Sequence, residues 1–277
     1  MLGSGGQADV FVSFDEQMKR RVAIKRVPLH DVHASVAAIE EARTAAMLTH
    51  PNIITMYDFS VTETAAYLIM EHVDGVTLAD IASEDITDEI VAAVVRDVGE
   101  ALTFAHKNGV LHLDIKPANI LINHEGHIKV IDFGVASLSR ATDPTAATAG
   151  TVGYMPPEQQ AGQSVSPATD QWAYAAVIYE LLTGENPALE ETLDVALSAD
   201  PLMRFASVKD CRQALLADLP APRAGRKQLA EIVAALTDDD IADTSDTRPK
   251  PRSPFAGCFS VLMLIAIAIL VSALTFA

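Results

Sequence analysis

Four polar residues lie close together in the middle of the 277-residue chain, and their types suit a reaction on phosphate. The stretch "HLDIKPANILINHEGHIKVIDFG" holds Asp114, Lys116 and Asn119, with Asp132 following a predicted hairpin. An aspartate can orient a hydroxyl nucleophile and accept its proton, and a nearby lysine can offset charge on a transferred phosphoryl group. The oxygens of Asn119 and Asp132 are the kind of ligand that Mg²⁺ prefers. These residues therefore predict phosphoryl transfer assisted by Mg²⁺.

The spacing of these residues carries more information than their types. Taken singly each is ordinary, since an aspartate before a proline-containing loop is most often a turn residue. Together they match H-x-D-x-x-x-x-N followed by D-F-G, beginning at His112. Here the sequence resembles the protein kinase superfamily, specifically the bacterial Hanks-type (eukaryotic-like) serine/threonine kinases with a membrane anchor. The resemblance runs from Leu2 to about Leu216.

The resemblance implies an α+β, bilobal fold with a small β-rich N-lobe, a larger helical C-lobe and one C-terminal transmembrane helix. It implies ATP and Mg²⁺ as cofactors and protein substrates with serine or threonine acceptors. In this family a lysine two residues after the catalytic aspartate accompanies serine/threonine specificity, as Lys116 does here. The implied catalytic residues are Asp114, Lys116, Lys25, Glu41 (with Glu40 as the next choice) and Thr151.

The implied nucleotide site is assembled from several motifs. "LGSGGQADV" resembles the glycine-rich loop, "VAIK" supplies a lysine for the α- and β-phosphates, and "YLIMEHVDG" resembles the hinge between the lobes. By this match Met70 lines the back of the adenine pocket, and the backbones of Glu71 and Val73 bind the adenine edge. The full implied set is Leu2, Gly3, Ser4, Gly5, Gly6, Val10, Ala23, Lys25, Met70, Glu71, Val73, Asn119, Leu121 and Asp132.

Further motifs support the catalytic loop. "GTVGYMPPE" resembles the substrate-side end of the activation segment, so Thr151 is expected to hydrogen-bond toward Asp114 and Lys116. Asp170 matches a buried aspartate that braces the catalytic loop. Glu158 and Arg204 match an ion pair beneath the activation segment.

Three departures from the family pattern bear on function. Leu113 stands where many relatives have an arginine that binds the phosphorylated activation loop, so switching by loop phosphorylation is weakened. The segment between Gly184 and Arg204 is short and lacks a helix on which many kinases dock partners. Met1 directly precedes the glycine-rich loop, so we expect either that the true start lies upstream or that the roof of the nucleotide site lacks most of its first strand.

Bulk composition excludes some functions. The chain has 20 basic and 37 acidic residues and a net charge of −17, which disfavours nucleic-acid binding. Such a surface keeps the protein soluble or attracts basic partners. Two cysteines are too few for a disulfide framework or a cysteine metal cluster, as expected for a cytosolic domain.

The predicted organisation has three parts. Residues 1–217 form the kinase domain, with the N-lobe at about 1–70 and the C-lobe at about 74–217. Residues 218–254 form a juxtamembrane linker with one short helical pattern at 227–236. The uncharged stretch 255–277 is long enough, at roughly 1.5 Å per residue, to cross a hydrocarbon core about 30 Å thick. Basic residues before it favour a single-pass protein of the cell membrane with the kinase domain in the cytosol.

Two alternatives to an active protein kinase remain at this stage. One is a pseudokinase, a membrane-anchored nucleotide-binding scaffold without turnover, which the short C-lobe segment and clipped N-terminus favour. The other is a small-molecule kinase, which explains "GTVGYMPPE" less well because that segment seats a peptide. A homodimer is a further partner hypothesis.

Overall fold

A strand-rich lobe precedes a helical lobe, which confirms the predicted α+β arrangement. The computed structural model of the protein describes residues 3–5, 8–28, 46–62, 64–133, 153–182 and 187–242. The alanine-rich stretch "SVAAIEEARTAAMLT", whose sequence predicts a helix, falls mainly outside these ranges, and so do the glutamates at 40 and 41.

The N-lobe is one five-stranded antiparallel sheet in the order β1-β2-β3-β5-β4. Alternating apolar residues in β3 and β5 bury one face of each strand, and Val27, Ala66 and Leu68 form a small core there. The first strand, β1, is described over three residues. The strands are β1 Gly3–Gly5, β2 Ala8–Asp15, β3 Arg20–Pro28, β4 Met56–Val61 and β5 Ala65–Glu71.

A second sheet begins the C-lobe and carries the residues of the predicted site. Its antiparallel order is β6-β7-β8, with strands β6 Gly75–Thr77, β7 Ile120–Asn123 and β8 Ile128–Val130. The turn between β7 and β8 uses Gly126 at φ +73°, a left-handed conformation that glycine adopts without steric cost. Asn52 and Ile54 hydrogen-bond to this sheet through Val130, which joins it to the N-lobe.

Helices build the remainder of the C-lobe around one apolar core. Thr87 caps the first long helix by accepting a hydrogen bond from the N–H of Ile90, and that helix is buried along most of its length. The helices are α1 Asp88–Lys107, α2 Pro157–Gln160, α3 Pro167–Leu181, α4 Pro187–Ala196, α5 Val208–Ala217 and α6 Pro222–Ala242. Short 3-10 turns occur at Leu78–Asp80, Ser83–Asp85, Pro117–Asn119 and Pro201–Met203.

The structure corrects the predicted linker from residue 218. Instead of a short pattern at 227–236, helix α6 has 21 residues and packs against α1. Leu229 and Val233, four residues apart on one helix face, are fully buried. The folded C-lobe therefore extends to Ala242. Proline, glycine and several charges near the start of α6 suggested a linker, although proline is well tolerated in a first helical turn.

The short segment before Arg204 is also folded. The sequence predicted that this segment lacks a helix, and the structure corrects this: the segment contains α4, which contacts α3 and α5 and whose Leu189, Leu193 and Ala196 are buried. Within the described ranges, no helix combines the length and apolarity needed to cross a membrane. The predicted span at 255–277 lies outside those ranges.

Candidate active site

The catalytic loop between α1 and β7 brings three of the predicted residues into direct contact. Lys116 Nζ lies 2.8 Å from Asp114 Oδ2. Asn119 Nδ2 donates to Asp114 Oδ2 at 3.0 Å and to the backbone carbonyl of Asp114 at 2.8 Å. The Asp114 carboxylate is about one-third exposed. It is thus oriented by two neighbours while remaining accessible to a substrate hydroxyl.

The backbone of this loop is held by a buried carboxylate, as predicted. Asp170, fully buried on α3, accepts hydrogen bonds from the N–H groups of His112 (2.8 Å) and Leu113 (2.7 Å). Leu113 has a φ of +65°, which costs a non-glycine residue roughly 1–2 kcal/mol. Hydrogen bonds to a charged group contribute about 1.5–3 kcal/mol each. The two bonds to Asp170 therefore outweigh the strain and fix the chain just before Asp114.

Two further supports of the loop were missed in the sequence. His106 Nε2 lies 2.7 Å from Asp170 Oδ2, and Gln159 Nε2 donates to the carbonyl oxygen of Leu113 at 3.0 Å. The only sequence signal for Gln159 is its position directly after the "PPE" of the activation-segment motif. His106, in the last turn of α1, gave no signal, because its partner is 64 residues away.

His112 joins the catalytic loop to the segment that contains Asp132. Its Nδ1 accepts a hydrogen bond from the N–H of Asp114, so the ring proton is on Nε2, which donates to the carbonyl of Ile131 at 2.8 Å. Its ring also packs edge-on against Phe133, with ring centroids 4.6 Å apart. One buried histidine thereby sets the relative positions of Asp114 and Asp132.

Lys25 on β3 and Asp132 form the second charged pair of the site. Lys25 Nζ lies 2.7 Å from Asp132 Oδ2, and the lysine is buried. Asp132 has a φ of +66°, an uncommon conformation that turns its carboxylate toward Lys25. The glutamate predicted to pair with Lys25, Glu41, lies outside the described residues.

The residues present fit a Mg²⁺ ion. Because Asn119 Nδ2 bonds to Asp114, its Oδ1 is the atom left to act as a metal ligand, beside a carboxylate oxygen of Asp132. Among the described residues there is no group of three or more His, Cys, Asp or Glu that could hold a metal by itself. Mg²⁺ is commonly bound by one or two protein oxygens together with substrate phosphates, and Asn119 and Asp132 would supply the protein oxygens.

Comparison with known proteins identifies the family. The family model described as "Protein kinase domain" matches residues 1–243. The chain belongs to the protein kinase family. Serine/threonine-protein kinase PknB of Mycobacterium leprae is 40% identical over 204 residues, covering 69% of this chain and 33% of that protein. PknB of Mycobacterium tuberculosis is 40% identical over 200 residues, covering 68% of this chain and 32% of that protein. PrkC of Bacillus subtilis is 36% identical over 194 residues, covering 68% of this chain and 30% of that protein. The chain spans about a third of the length of these curated relatives.

The residues predicted to surround adenine lie on strands of both sheets. Strand register places Val10 opposite Lys25 and Ala23 opposite Met70 on the N-lobe sheet. Leu121 lies on β7 in the sheet of the C-lobe. Behind Met70 is a cavity of about 20 Å³, lined by Ile53, Ile54, Met56, Leu68, Met70, Asp132 and Phe133. The predicted adenine-site residues thus belong to both lobes, and their role in binding adenine stays a prediction.

The kinase hinge is tied to the sheet of the C-lobe. The N–H of Glu71 donates to the carbonyl of Thr55 at 2.9 Å, and Glu71 Oε2 lies 2.9 Å from Lys129 Nζ on β8. The predicted hinge residue Val73 is partly buried two residues later. Lys129 was not among the predicted site residues, since its partner is 58 residues away in sequence.

The predicted ion pair between Glu158 and Arg204 is confirmed. Arg204 NH1 and NH2 donate to the two carboxylate oxygens of Glu158 at 2.8 and 2.9 Å, and both residues are buried. Burial tends to raise the pKa of Glu158, but the hydrogen bonds and charge of Arg204 outweigh it, so this pKa lies below its ordinary value. Arg204 also donates to the carbonyls of Ala168 and Ser198, which joins three segments of the C-lobe.

Some predicted residues fall outside the described ranges. They are Leu2, Gly6, Glu41 and Thr151. Gly3, Ser4 and Gly5 form β1, where the backbone pairs with Val10, Asp9 and Ala8.

Proposed function

We propose that this protein transfers the γ-phosphoryl group of ATP to serine or threonine hydroxyls of other proteins, with Mg²⁺ as the metal ion. The observation that carries the proposal is the arrangement of two charged pairs, Asp114–Lys116 and Lys25–Asp132, joined through His112. A scaffold protein has no chemical need for both pairs. The serine/threonine kinases to which the chain is similar support the same conclusion.

In the proposed mechanism the protein contributes position and charge. Asp114 orients the acceptor hydroxyl and takes its proton. Lys116, which donates a hydrogen bond to Asp114 Oδ2, offsets negative charge that develops on the transferred phosphoryl group. Lys25 holds phosphate oxygens of the nucleotide. Bound Mg²⁺ would neutralise charge on the phosphates, with Asp132 and Asn119 Oδ1 as its protein ligands.

The test is transfer of radiolabelled phosphate from ATP by the full-length chain, to itself and to a basic model protein. Asp114→Asn should lower transfer roughly 10²–10⁴-fold, the usual contribution of a positioned general base, while ATP affinity stays nearly unchanged. Asp85→Asn is the matched control, because Asp85 is exposed in a 3-10 turn. If the unaltered protein binds ATP yet transfers nothing, the scaffold alternative is correct.

We further propose that residues 255–277 anchor the protein in the cell membrane, with the kinase domain in the cytosol where ATP is. The support is the uncharged apolar sequence and the basic residues Arg248, Lys250 and Arg252 before it. Full-length protein should fractionate with membranes, and removal of 255–277 should release it. Protection of the kinase domain from a protease added to intact cells checks the orientation. Full-length protein in the soluble fraction would contradict the anchor.

A further inference from the structure

Helix α6 packs against the sheet that supports the nucleotide site. It contacts β6 and β7 as well as α1. The contact with the β7–β8 turn is a close one: a Cβ on Gly126 would lie 1.9 Å from the backbone carbonyl oxygen of Arg226. No residue other than glycine fits at this turn while α6 stays in place. The helix and the turn therefore hold each other in position.

The side chain of Arg226 anchors α6 from the same point. It donates from Nε and NH2 to the carboxylate of Asp97 on α1, at distances of 3.0 to 3.2 Å. Asp97 is fully buried and is also bonded by Arg96, whose Nε lies 2.7 Å away. A buried carboxylate needs such partners, because an unpaired buried charge is costly. Arg226 thus contacts two elements: its side chain bonds to α1, and its backbone packs against the β7–β8 turn.

A second glycine allows α6 to approach α1 this closely. A Cβ on Gly225 would lie 1.9 Å from the carbonyl oxygen of Glu89. One turn further on, Gln228 accepts a hydrogen bond from the hydroxyl of Thr87, the N-terminal cap of α1. The first two turns of α6 are therefore fixed by direct contacts, and Leu229 and Val233 continue the packing.

The strands held by α6 carry parts of the site on both sides of the turn. Leu121, a predicted wall of the adenine pocket, is on β7, and β8 leads within two residues to Asp132. Lys129, between them, holds the hinge residue Glu71. A displacement of the β7–β8 turn would therefore reach the adenine wall, the metal ligand and the hinge together.

We infer that Arg226 is a positioning residue for nucleotide binding: by docking α6 it sets the β7–β8 hairpin that forms the lower side of the ATP site. This inference rests on the proposed ATP-dependent function. A purely structural role for Arg226 would lower the stability of the fold without changing the affinity of the molecules that remain folded. Measurements of ATP affinity on folded protein separate the two.

The first experiment measures the Kd for ATP with Mg²⁺ on the full-length chain and three variants. Arg226→Met should raise the Kd by about fivefold or more, the range of ordinary coupling between sites, and Arg226→Lys should raise it less. Lys227→Met is the matched control, since Lys227 is the next residue and its side chain is 83% exposed. Its Kd should equal that of the unaltered protein.

The second experiment needs no substitution and remains informative if Arg226→Met does not fold. Coupling of binding free energies is reciprocal, so ATP must stabilise the docked position of α6. Saturating ATP with Mg²⁺ should slow amide hydrogen exchange in 222–242 of the unaltered protein relative to exchange in α5. Equal Kd values in the Arg226 variants, or no change of exchange in α6, would overturn the inference and leave the proposed function standing. Absence of ATP binding by the unaltered protein would overturn both.

Discussion

The side-chain amide of Gln159 donates a 3.0 Å hydrogen bond to the carbonyl oxygen of Leu113, while Asp170 accepts the N–H of the same residue. Both polar backbone groups of the residue before Asp114 are therefore bonded within the fold. Many kinases place an arginine at this position, and its side chain binds a phosphate on the activation segment. Leucine has no such group, yet the backbone that positions Asp114 is held without it.

We therefore predict that activity depends little on phosphorylation of the activation segment. Thr145 and Thr148, which lie outside the described residues, are the expected autophosphorylation sites, ahead of Ser137, Ser139 and Thr142. Replacing Thr145 and Thr148 together by alanine should lower transfer to an external substrate by less than about tenfold, equivalent to about 1.4 kcal/mol of barrier. A larger loss would show that another cation binds the phosphate.

Asp132→Asn should weaken the effect of Mg²⁺ on nucleotide binding. The substitution removes a charged ligand oxygen and the ion pair with Lys25. We expect ATP to bind the unaltered protein more tightly with Mg²⁺ than with EDTA, and this difference should largely disappear in the variant. Titration calorimetry in both buffers measures it. Asp114→Asn serves as the comparison and should bind ATP more tightly with Mg²⁺ than with EDTA, as the unaltered protein does. If Asp132→Asn shows the same difference in affinity, Asp132 is not a metal ligand.

Loss of Arg204 should strongly destabilise the C-lobe. Arg204→Met leaves the buried Glu158 carboxylate without its counter-charge, a change that typically costs about 3–5 kcal/mol of unfolding free energy. Chemical denaturation at neutral pH measures the loss. The comparison is Lys227→Met, which breaks the exposed pair with Glu231 and should cost less than about 1 kcal/mol.

The pH dependence of this loss identifies its cause. In the unaltered protein the pKa of Glu158 is lowered, so its contribution to stability is present above its unfolded-state pKa near 4.5 and is lost as pH falls through its folded-state pKa. Without Arg204, burial is opposed only by the hydrogen bonds from the backbone and from Thr169, so the pKa of Glu158 rises. The deficit of Arg204→Met should therefore shrink as pH is lowered toward 4.5. A deficit that stays constant with pH would assign the loss to the bonds that Arg204 makes to Ala168 and Ser198.

Cys211 should be chemically inert in the folded protein. It is fully buried on α5, and burial raises the pKa of its thiol to about 12, so almost none of the reactive thiolate exists at neutral pH. With Cys258 replaced by serine, iodoacetamide should label the protein only in denaturant, as read by mass spectrometry. Prompt labelling in native buffer would show that α5 opens readily.

Contacts within short stretches were predictable from the sequence. Asn119 and Asp132 flank a hairpin whose turn and alternating apolar strands are visible in "ILINHEGHIKV", so their proximity follows from local structure. Strand β5, Ala65–Glu71, is likewise visible in the sequence as a short apolar run bounded by polar residues. Asp170 and the Glu158–Arg204 pair came from the family resemblance and were confirmed.

Contacts between distant stretches were not predictable. Arg226 and Asp97 are 129 residues apart, and neither residue lies in a pattern that indicates the other. The buried face of α6 is narrow, so the spacing of its apolar residues predicts only a short helix within a linker. Gln159 and Lys129 likewise depend on partners 46 and 58 residues away. In each case the signal is an ordinary polar residue whose role is set by tertiary packing.

The two close glycine contacts of α6 give a criterion for comparing sequences. Gly126 and Gly225 are in different parts of the chain, yet a side chain at either position would collide with a backbone carbonyl across the α6 contacts. Another kinase that carries glycine at both positions, followed by an apolar pair four residues apart, is therefore expected to end its domain with the same docked helix. In a kinase with a bulky residue at either position, the chain is expected to leave the domain by a different route. Comparing the nucleotide affinity of kinases of both kinds would show the effect of the docked helix.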